Sequence, residues 1–176
     1  MTQIANAYAQ GLYQLAKDEG LTEELLQELT TLQTGFAEEP AIYRLLSTPN
    51  LSKEERLGVL DSSFRGKVHP YVLNFLKILT ERGYIAHFPD CCVAFRAQYN
   101  EDSGILPVSA VTAVPMTEQQ QARLTEKLTS LTGKTVELTN RVDPDCLGGV
   151  RLDYDGKRVD GTVKNRLDDL AKALRG

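Results

Sequence analysis

The sequence has few cysteines and histidines, and this limits the chemistry that it can support. There are three cysteines and two histidines among 176 residues. An odd number of cysteines, two of them adjacent at Cys91 and Cys92 and the third at Cys146, argues against a framework of structural disulfides. Neither His69 nor His87 is spaced from Cys, Asp or Glu residues as zinc ligands are. We therefore expect buried, inert thiols and no metal site.

Long apolar runs and an excess of positive charge are also missing. No apolar run approaches the roughly 20 residues that a membrane-spanning helix needs, and the N-terminus lacks the charged-then-apolar layout of a signal peptide. The formal net charge of -4 provides no basic field of the kind that drives nucleic-acid binding. We expect no direct membrane span and no nucleic-acid partner, and a place in the cytosol or on a membrane-bound assembly.

Two glycine-containing stretches resemble phosphate-binding loops, but the order of the predicted elements is wrong for both. Gly148 and Gly149 precede a predicted strand, whereas a dinucleotide fingerprint follows a strand and opens a helix. A bulge or a close backbone approach explains this pair better. Residues 132–135 end like a Walker A loop, but Leu128 stands where its first glycine is required, and a helix precedes a strand. The sequence therefore predicts no bound nucleotide or other cofactor.

Residues 1–103 carry apolar positions at helical spacing and no strand pattern. Local signals divide this segment into helices: Ser52 and Glu55 form a capping box, Pro70 suits a first helical position, and Gly83 suits a helix end. The sequence predicts an N-terminal antiparallel bundle of about six helices.

Two helices of this bundle carry more apolar surface than a single core requires. The first helix has two apolar stripes, one of mixed size and one composed mostly of alanine, which would let another backbone approach closely. These stripes are Ile4, Tyr8, Gly11 and Leu15, and Ala5, Ala9, Leu12 and Ala16. The fifth helix is apolar around most of its circumference, so it is central to the bundle or carries a partner on its far side. Packing of both stripes of the first helix inside one bundle is the alternative.

Residues 104–176 predict a different structure, with strands as well as helices. Ile105 to Val114 is rich in β-branched residues and apolar on both faces, and Thr117 with Gln120 forms a capping box for a helix whose stripe is Leu124, Leu128 and Leu131. A strand through Val136, a second strand from Val150 to Tyr154, a hairpin at Asp155 and Gly156, and a final helix follow. The whole chain is predicted to be an α+β two-domain protein, whose second domain has the order β-α-β-β-α and a mixed sheet.

Several blocks of the sequence resemble the ATP synthase delta subunit family, whose mitochondrial counterpart is the oligomycin-sensitivity-conferring protein. The C-terminal blocks that match are Asp143, Pro144, Leu147, Gly148 and Gly149, followed by Asp160, Gly161, Thr162, Val163, Lys164, Arg166 and Leu167. The first helix also matches through Ala7, Tyr8, Ala9, Leu12, Tyr13, Leu15 and Ala16. Cys146 departs from the aliphatic residue usual in the family, and Thr162 stands where serine is frequent. Neither departure removes a side chain that chemistry would need.

The resemblance implies a non-catalytic stator subunit of F-type ATP synthase, peripheral on the cytoplasmic face of the cell membrane. Such a subunit links the alpha/beta catalytic head to the peripheral b stalk, so that rotation is coupled to ion translocation and ATP synthesis. The helical domain would bind the N-terminal segment of an alpha subunit, and the second domain would bind the C-terminal helices of the b subunit. On this basis the predicted alpha contacts are Ala5, Tyr8, Ala9, Leu12, Val72, Phe75, Leu76 and Leu79. The predicted b contacts are Val163, Arg166, Leu167, Leu170 and Leu174.

Two other functions stay open on the residues alone. A thiol-dependent protein would use Cys91 or Cys92, and it would need an exposed thiol with a lowered pKa. A generic adaptor of another assembly would share the two-domain layout and is excluded only by the family pattern.

Overall fold

The computed structural model describes residues 3–48, 50–146, 148–154 and 156–161. The chain forms two compact units, unit 1 (Met1–Tyr99) and unit 2 (Asn100–Gly176). A helical unit followed by a unit with a small mixed sheet confirms the predicted fold class. Among the described residues, no helix combines the length and the apolar character needed to cross a membrane.

The described part of unit 1 is made of α-helices joined by short connections. They are α1 (Gln3–Asp18), α2 (Thr22–Glu38), α3 (Ala41–Ser47), α4 (Lys53–Phe64), α5 (Pro70–Glu81) and α6 (Phe88–Asp102), with a 3₁₀ turn at Ile85–His87 before α6.

Local chemistry sets the ends of these helices. At the start of α4, the Ser52 hydroxyl accepts the Glu55 N–H at 3.2 Å, and the Glu55 carboxylate accepts the Ser52 N–H at 2.8 Å. These two bonds complete the predicted capping box. After α5, Gly83 has a φ of 74°, and the Tyr84 N–H donates to the Leu79 carbonyl at 2.7 Å. This is the pattern of a helix that ends in a left-handed glycine.

An aromatic cluster organises the core of unit 1. Phe36 of α2 is 2% exposed, and its ring centroid lies 5.2 Å from Tyr43, 5.8 Å from Phe64 and 5.3 Å from Phe88. Aromatic pairs at such distances add about 0.5–1.5 kcal/mol each beyond the area that they bury. Among the described residues the Tyr43 phenol has no hydrogen-bond partner, and burial raises its pKa to about 12. Phe36 therefore ties α2, α3, α4 and α6 together.

Unit 2 contains a four-stranded mixed sheet with the strand order β2-β1-β3-β4. Its elements are β1 (Ile105–Thr112), α7 (Glu118–Thr132), β2 (Thr135–Val142), β3 (Val150–Tyr154) and β4 (Lys157–Asp160). Strand β1 pairs with β2 in parallel and with β3 antiparallel, and β3 and β4 form an antiparallel hairpin. The two-sided apolar character of β1 follows from its place inside the sheet.

The helix α7 packs less tightly on this sheet than its sequence predicts. Leu128 packs on a small core of Leu106, Val108 and Val136, but Leu131 is 74% exposed, and α7 buries no side chain completely. The predicted stripe is therefore only partly packed, since Leu131, in the last turn of the helix, stays exposed in the described structure. The predicted final helix lies outside the described residues.

A close backbone approach explains Gly161, which directly follows β4. Its N–H donates to the Val150 carbonyl at 3.1 Å, and a Cβ at this position would lie 3.2 Å from the same oxygen. A side chain at residue 161 would crowd that carbonyl, so close packing favours glycine at this position.

Candidate functional site

The alanine stripe of α1 faces the interior of unit 1. Ala5, Ala9 and Ala16 are fully buried, and Leu12 is 6% exposed. The reason is steric: methyl side chains let α1 approach the neighbouring helices of its own unit closely, which leaves no room for a further helix on that face. Direct contact of a partner with Ala5 or Ala9 would require the core to open, and the placement of Ala5, Ala9 and Leu12 at a partner-binding surface stays a prediction.

The apolar arc of α5 is also part of the core. Val72, Leu76 and Leu79 are fully buried, and Phe75 is 5% exposed. Of the eight predicted alpha contacts, only Tyr8 has a half-exposed side chain. Direct contact of a partner with the other seven would require the core to open, or would be limited to the small exposed fractions of Leu12 and Phe75.

The second stripe of α1 stays at the surface and lines a cleft. This cleft, the α1–α5 groove, has a volume of about 280 Å³. It is lined by Ala7, Tyr8, Gly11, Leu12 and Leu15 from α1 and by Tyr71, Asn74, Phe75 and Ile78 from α5. Leu12 and Phe75 are nearly buried and form its floor, whereas Leu15 and Ile78 remain 39% and 36% exposed. The groove is therefore an apolar depression with a buried floor and accessible walls.

The dimensions of the α1–α5 groove suit a helix. Its α1 wall extends from Ala7 to Leu15 and its α5 wall from Tyr71 to Ile78. At a rise of 1.5 Å per residue, each wall is about 10–12 Å long, or about two helical turns. Gly11 lies midway along the α1 wall, and a Cβ there would meet no atom within 4 Å. The missing side chain leaves space for a bulky group of an incoming helix.

A few polar atoms interrupt the apolar lining. Asn74 is exposed in the α5 wall, and its amide offers two donors and one acceptor. Tyr8 contributes a phenol, and its ring is held edge-on against Tyr84 with centroids 5.9 Å apart. Apolar walls with a small number of positioned polar groups are typical of recognition sites.

Three of the predicted alpha contacts, Tyr8, Leu12 and Phe75, line this groove, and its other lining residues are absent from the prediction. Gly11 and Leu15 belong to the mixed-size stripe of α1, and Ile78 lies in the apolar part of α5. In a pair of stripes on one helix, the stripe with the smaller side chains allows closer helix packing and so favours the interior. The difference in side-chain size between the two stripes is therefore a sequence signal for which of them stays at the surface.

The predicted b contacts all lie outside the described residues. In the described part of unit 2, an open cleft of about 610 Å³ adjoins the β3–β4 hairpin and is lined partly by Ser109, Thr139, Asp153 and Arg158. The Arg158 guanidinium donates to Asp153 at 2.8 Å and holds the pKa of that carboxyl below its usual value. Asp153 is therefore ionised near neutral pH and cannot act there as a proton donor.

The thiols lack the properties that thiol chemistry requires. Cys91 and Cys92 are 1% and 4% exposed. Burial raises the pKa of the Cys91 thiol to about 11 and that of the Cys92 thiol to about 12. A nucleophilic cysteine needs an accessible thiolate. The alternative of a thiol-dependent protein is therefore wrong.

Other candidate sites have structural explanations. His69 caps α5 through its ring, and His87 lies 4.0 Å from Asp90 alone. Within the described ranges, no group of three or more His, Cys, Asp or Glu side chains is placed to hold a metal ion.

Gly133, with a φ of 68°, ends α7, so the stretch that resembles a Walker A loop is a helix terminus. Positive φ values of 109° and 88° explain Gly148 and Gly149 as backbone requirements.

The chain is similar to known proteins along nearly its whole length. A profile of the ATP synthase delta (OSCP) subunit matches residues 4–174. The chain is 33% identical over 174 residues to ATP synthase subunit delta of Clostridioides difficile, with 97% of this chain and 95% of the relative covered. It is 32% identical over 171 residues to that of Alkaliphilus oremlandii, with the same coverage.

A solved structure shares the fold. The chain aligns with one in the cryo-EM structure of the Toxoplasma gondii mitochondrial ATP synthase hexamer with a TM-score of 0.79 and 20% identity, covering 99% of both chains. Together with the profile match, the two bacterial relatives show that the chain belongs to the ATP synthase delta (OSCP) subunit family.

Proposed function

We propose that this chain is the stator subunit that joins the catalytic head of an F-type ATP synthase to its peripheral stalk, without catalysing a reaction itself. The family match over residues 4–174 is the observation that carries this proposal. Two compact units with different architectures suit a connector, because each unit can hold a different partner. By holding both, the chain would resist torque, so that rotation stays coupled to ion translocation at the cytoplasmic face of the cell membrane.

The partner of unit 1 is the N-terminal segment of an alpha subunit, docked as an amphipathic helix in the α1–α5 groove. The groove offers two turns of apolar wall, with Leu15 and Ile78 accessible and Leu12 and Phe75 below them. A helix in such a groove places anchors at i, i+3 or i+4, and i+7 on the floor and walls. The predicted contacts Tyr8, Leu12 and Phe75 line this groove, and the proposal adds Gly11, Leu15 and Ile78 from its walls.

The partner of unit 2 is the C-terminal end of the b subunit, bound through residues 163–176. Val163, Leu167, Leu170 and Leu174 recur at helical spacing, and Arg166 adds to the positive charge of this segment. Two moderate contacts on one chain hold an assembly far better than either alone, because the second binding event is intramolecular.

Matched surface variants of the full-length chain test the groove. Ile78→Lys places a charge in the α5 wall of the groove. Val93→Lys places the same charge on α6, at an apolar residue that is 49% exposed and does not line the groove. Losing a buried isoleucine anchor costs about 1.5–3 kcal/mol, so Ile78→Lys should weaken binding of an alpha N-terminal peptide by about tenfold or more. Val93→Lys should bind the peptide within about twofold of wild type.

Calorimetric titration of the peptide measures both affinities, and circular dichroism confirms that both variants stay folded. Equal affinity of the two variants for the peptide would contradict docking of the alpha segment in the α1–α5 groove. The b contact is tested separately by deleting residues 163–176, which should abolish binding of a b C-terminal peptide and spare the alpha peptide. Unchanged b binding would place that contact elsewhere.

A further inference from the structure

We propose that the α1–α5 groove carries opposite charges at its two ends and therefore binds the alpha segment in one direction. The N-terminal end of that segment lies beside Arg82, and its C-terminal end lies beside Asp18 and Glu19. This inference rests on the proposed docking of an amphipathic helix in the groove, and it adds the charge pattern and the direction of that helix.

The two walls of the groove run in opposite directions. Tyr8, in the N-terminal half of α1, packs its ring against Tyr84 with centroids 5.9 Å apart, and Tyr84 follows the C-terminal end of α5. The N-terminal half of α1 therefore lies beside the end of α5. One end of the groove is formed by Tyr8 and Ile78, and the other end is formed by Leu15 and Tyr71.

The groove stripe of α1 continues into acidic residues. Asp18 and Glu19 follow Leu15 by three and four positions, the spacing of side chains on one helix face. The Glu19 N–H donates to the Leu15 carbonyl at 3.2 Å, so the helical turn extends to this residue. Both acidic side chains are exposed. The Asp18 carboxylate accepts a hydrogen bond from the neutral Gln14 amide at 2.9 Å, which leaves its negative charge in place.

The opposite end of the groove carries a positive charge. Arg82 follows Ile78 by four positions, and its N–H donates to the Ile78 carbonyl at 3.1 Å. Arg82 therefore continues the groove face of α5, and its side chain is exposed. The adjacent Glu81 carboxylate is paired with the Lys53 ammonium at 2.9 Å, so the charge of Glu81 is balanced by a residue of α4.

The lysines nearest in sequence to the acidic end belong to neither wall. Lys17 is two positions from Leu15, which is about 200° around the helix axis, so it lies on the opposite face of α1. Lys67 belongs to the turn after α4, where its N–H donates to the Phe64 carbonyl at 3.0 Å. The groove face thus has one negative and one positive end.

A partner helix has to match this polarity over about three turns. The walls with their charged ends extend over residues 8–19 and 71–82, which is about 16 Å for each helix. Helices are stabilised by acidic residues in the first turn and by basic residues in the last turn. A helix of this kind satisfies both ends of the groove when its first turn lies beside Arg82. The docked segment therefore runs parallel to α1, with apolar anchors between an acidic start and a basic end.

These charges determine direction more than they determine affinity. Exposed ion pairs usually change an equilibrium by about fivefold or less, and reversing one charge replaces an attraction by a repulsion. Reversal at either end of the groove should therefore weaken the complex by about threefold to tenfold. The effect should shrink at high salt, because exposed charges are screened.

Charge reversals in the full-length chain test the two ends separately. Arg82→Glu and Asp18→Lys should each weaken binding of an alpha N-terminal peptide by about threefold to tenfold in calorimetric titrations. The matched controls are Arg44→Glu, in the last turn of α3, and Glu38→Lys, in the last turn of α2. They make the same charge changes at exposed helix ends that do not line the groove, and they should bind within about twofold of wild type. Circular dichroism confirms that the variants stay folded.

A spin label on the peptide determines its direction. A nitroxide at the N-terminus of the peptide should broaden the amide NMR signals of Gly83 and Tyr84, and one at its C-terminus should broaden those of Glu19 and Gly20. The opposite pattern, equal broadening at both ends, or groove variants that bind as tightly as their controls would overturn the polarity and leave the docking intact. A peptide that broadens no groove signal would refute the docking and the polarity together.

Discussion

Arginine placed at two positions of α1, two residues apart, should have opposite effects on stability. Ala9 is fully buried in the core of unit 1, whereas Gly11 is exposed and lies in the wall of the α1–α5 groove. The two substitutions introduce the same side chain into the same helix. Any difference between them therefore reports which face of α1 packs inside the protein.

At Ala9 the structure predicts loss of the fold. Overpacking a core costs about 1–3 kcal/mol, and a charge buried without a partner costs several kcal/mol more. Domains are stable by only about 5–15 kcal/mol in total. Ala9→Arg should therefore leave unit 1 largely unfolded or strongly destabilised.

At Gly11 the same change should stabilise unit 1. A Cβ at Gly11 meets no atom within 4 Å, so the substitution is free of clashes. Replacing a glycine within a helix by a good helix former contributes about 0.5–1 kcal/mol. The arginine side chain would, however, project into the groove that the alpha segment is proposed to occupy. Gly11→Arg should therefore raise stability and reduce peptide affinity.

Urea unfolding followed by far-UV circular dichroism gives the free energies, and calorimetry of the alpha peptide gives the affinities. Gly11→Ala provides the control, because it brings a similar gain in stability from helix propensity while its methyl group intrudes little into the groove. A folded Ala9→Arg protein with wild-type stability would contradict the burial of the alanine stripe. Full peptide affinity in Gly11→Arg, with stability raised as expected, would leave the core assignment intact and move the docking site.

Three further outcomes follow from particular residues. Cys91 and Cys92 should resist a neutral alkylating reagent in the folded chain and react quickly after denaturation, as measured by mass spectrometry, because burial raises the pKa of both thiols. The hydrogen bond from Lys77 at 2.7 Å lowers the pKa of the Asp61 carboxyl, so the carboxylate stabilises the fold while it is ionised. Asp61→Asn should therefore lower the free energy of unfolding near neutral pH. In urea titrations the difference from wild type should disappear as pH falls below about 4, because Asp61 is then protonated. Asn74→Leu should keep or raise the affinity for the alpha peptide. It should also reduce discrimination against a peptide with a shifted apolar register, because a single polar group in an apolar seam specifies register. Competition between the two peptides measures this discrimination.

The features that were predictable from sequence are those that neighbouring residues decide. Ser52 and Glu55 cap each other across a single turn, and Gly133 ends α7 because its backbone adopts a positive φ that other residues resist. The order of the described elements along the chain, β1-α7-β2-β3-β4, was also predictable, since alternation and turn residues are local signals.

The groove residues could not be predicted in the same way, because they depend on contacts between distant parts of the chain. Both stripes of α1 are apolar and satisfy helical spacing equally well, so periodicity alone cannot choose between Ala9 and Gly11 as the inward position. Leu131 shows the same limit in unit 2, where a residue of the predicted stripe is 74% exposed. In each case the deciding quantity is the distance to a neighbouring element.

With the proposed docking, α1 would separate stability from binding on one helix. Ala5, Ala9 and Ala16 on its inner face bring the helix close to its neighbours, whereas Leu15 on its outer face remains 39% exposed. An exposed leucine contributes little to folding, whereas burial against a partner would be worth about 1.5–3 kcal/mol. Most substitutions on the outer face should therefore change partner affinity without changing the fold, and those on the inner face should do the reverse. With the alpha segment docked as proposed, this division would let the groove residues vary with the partner while the core of unit 1 stays constant.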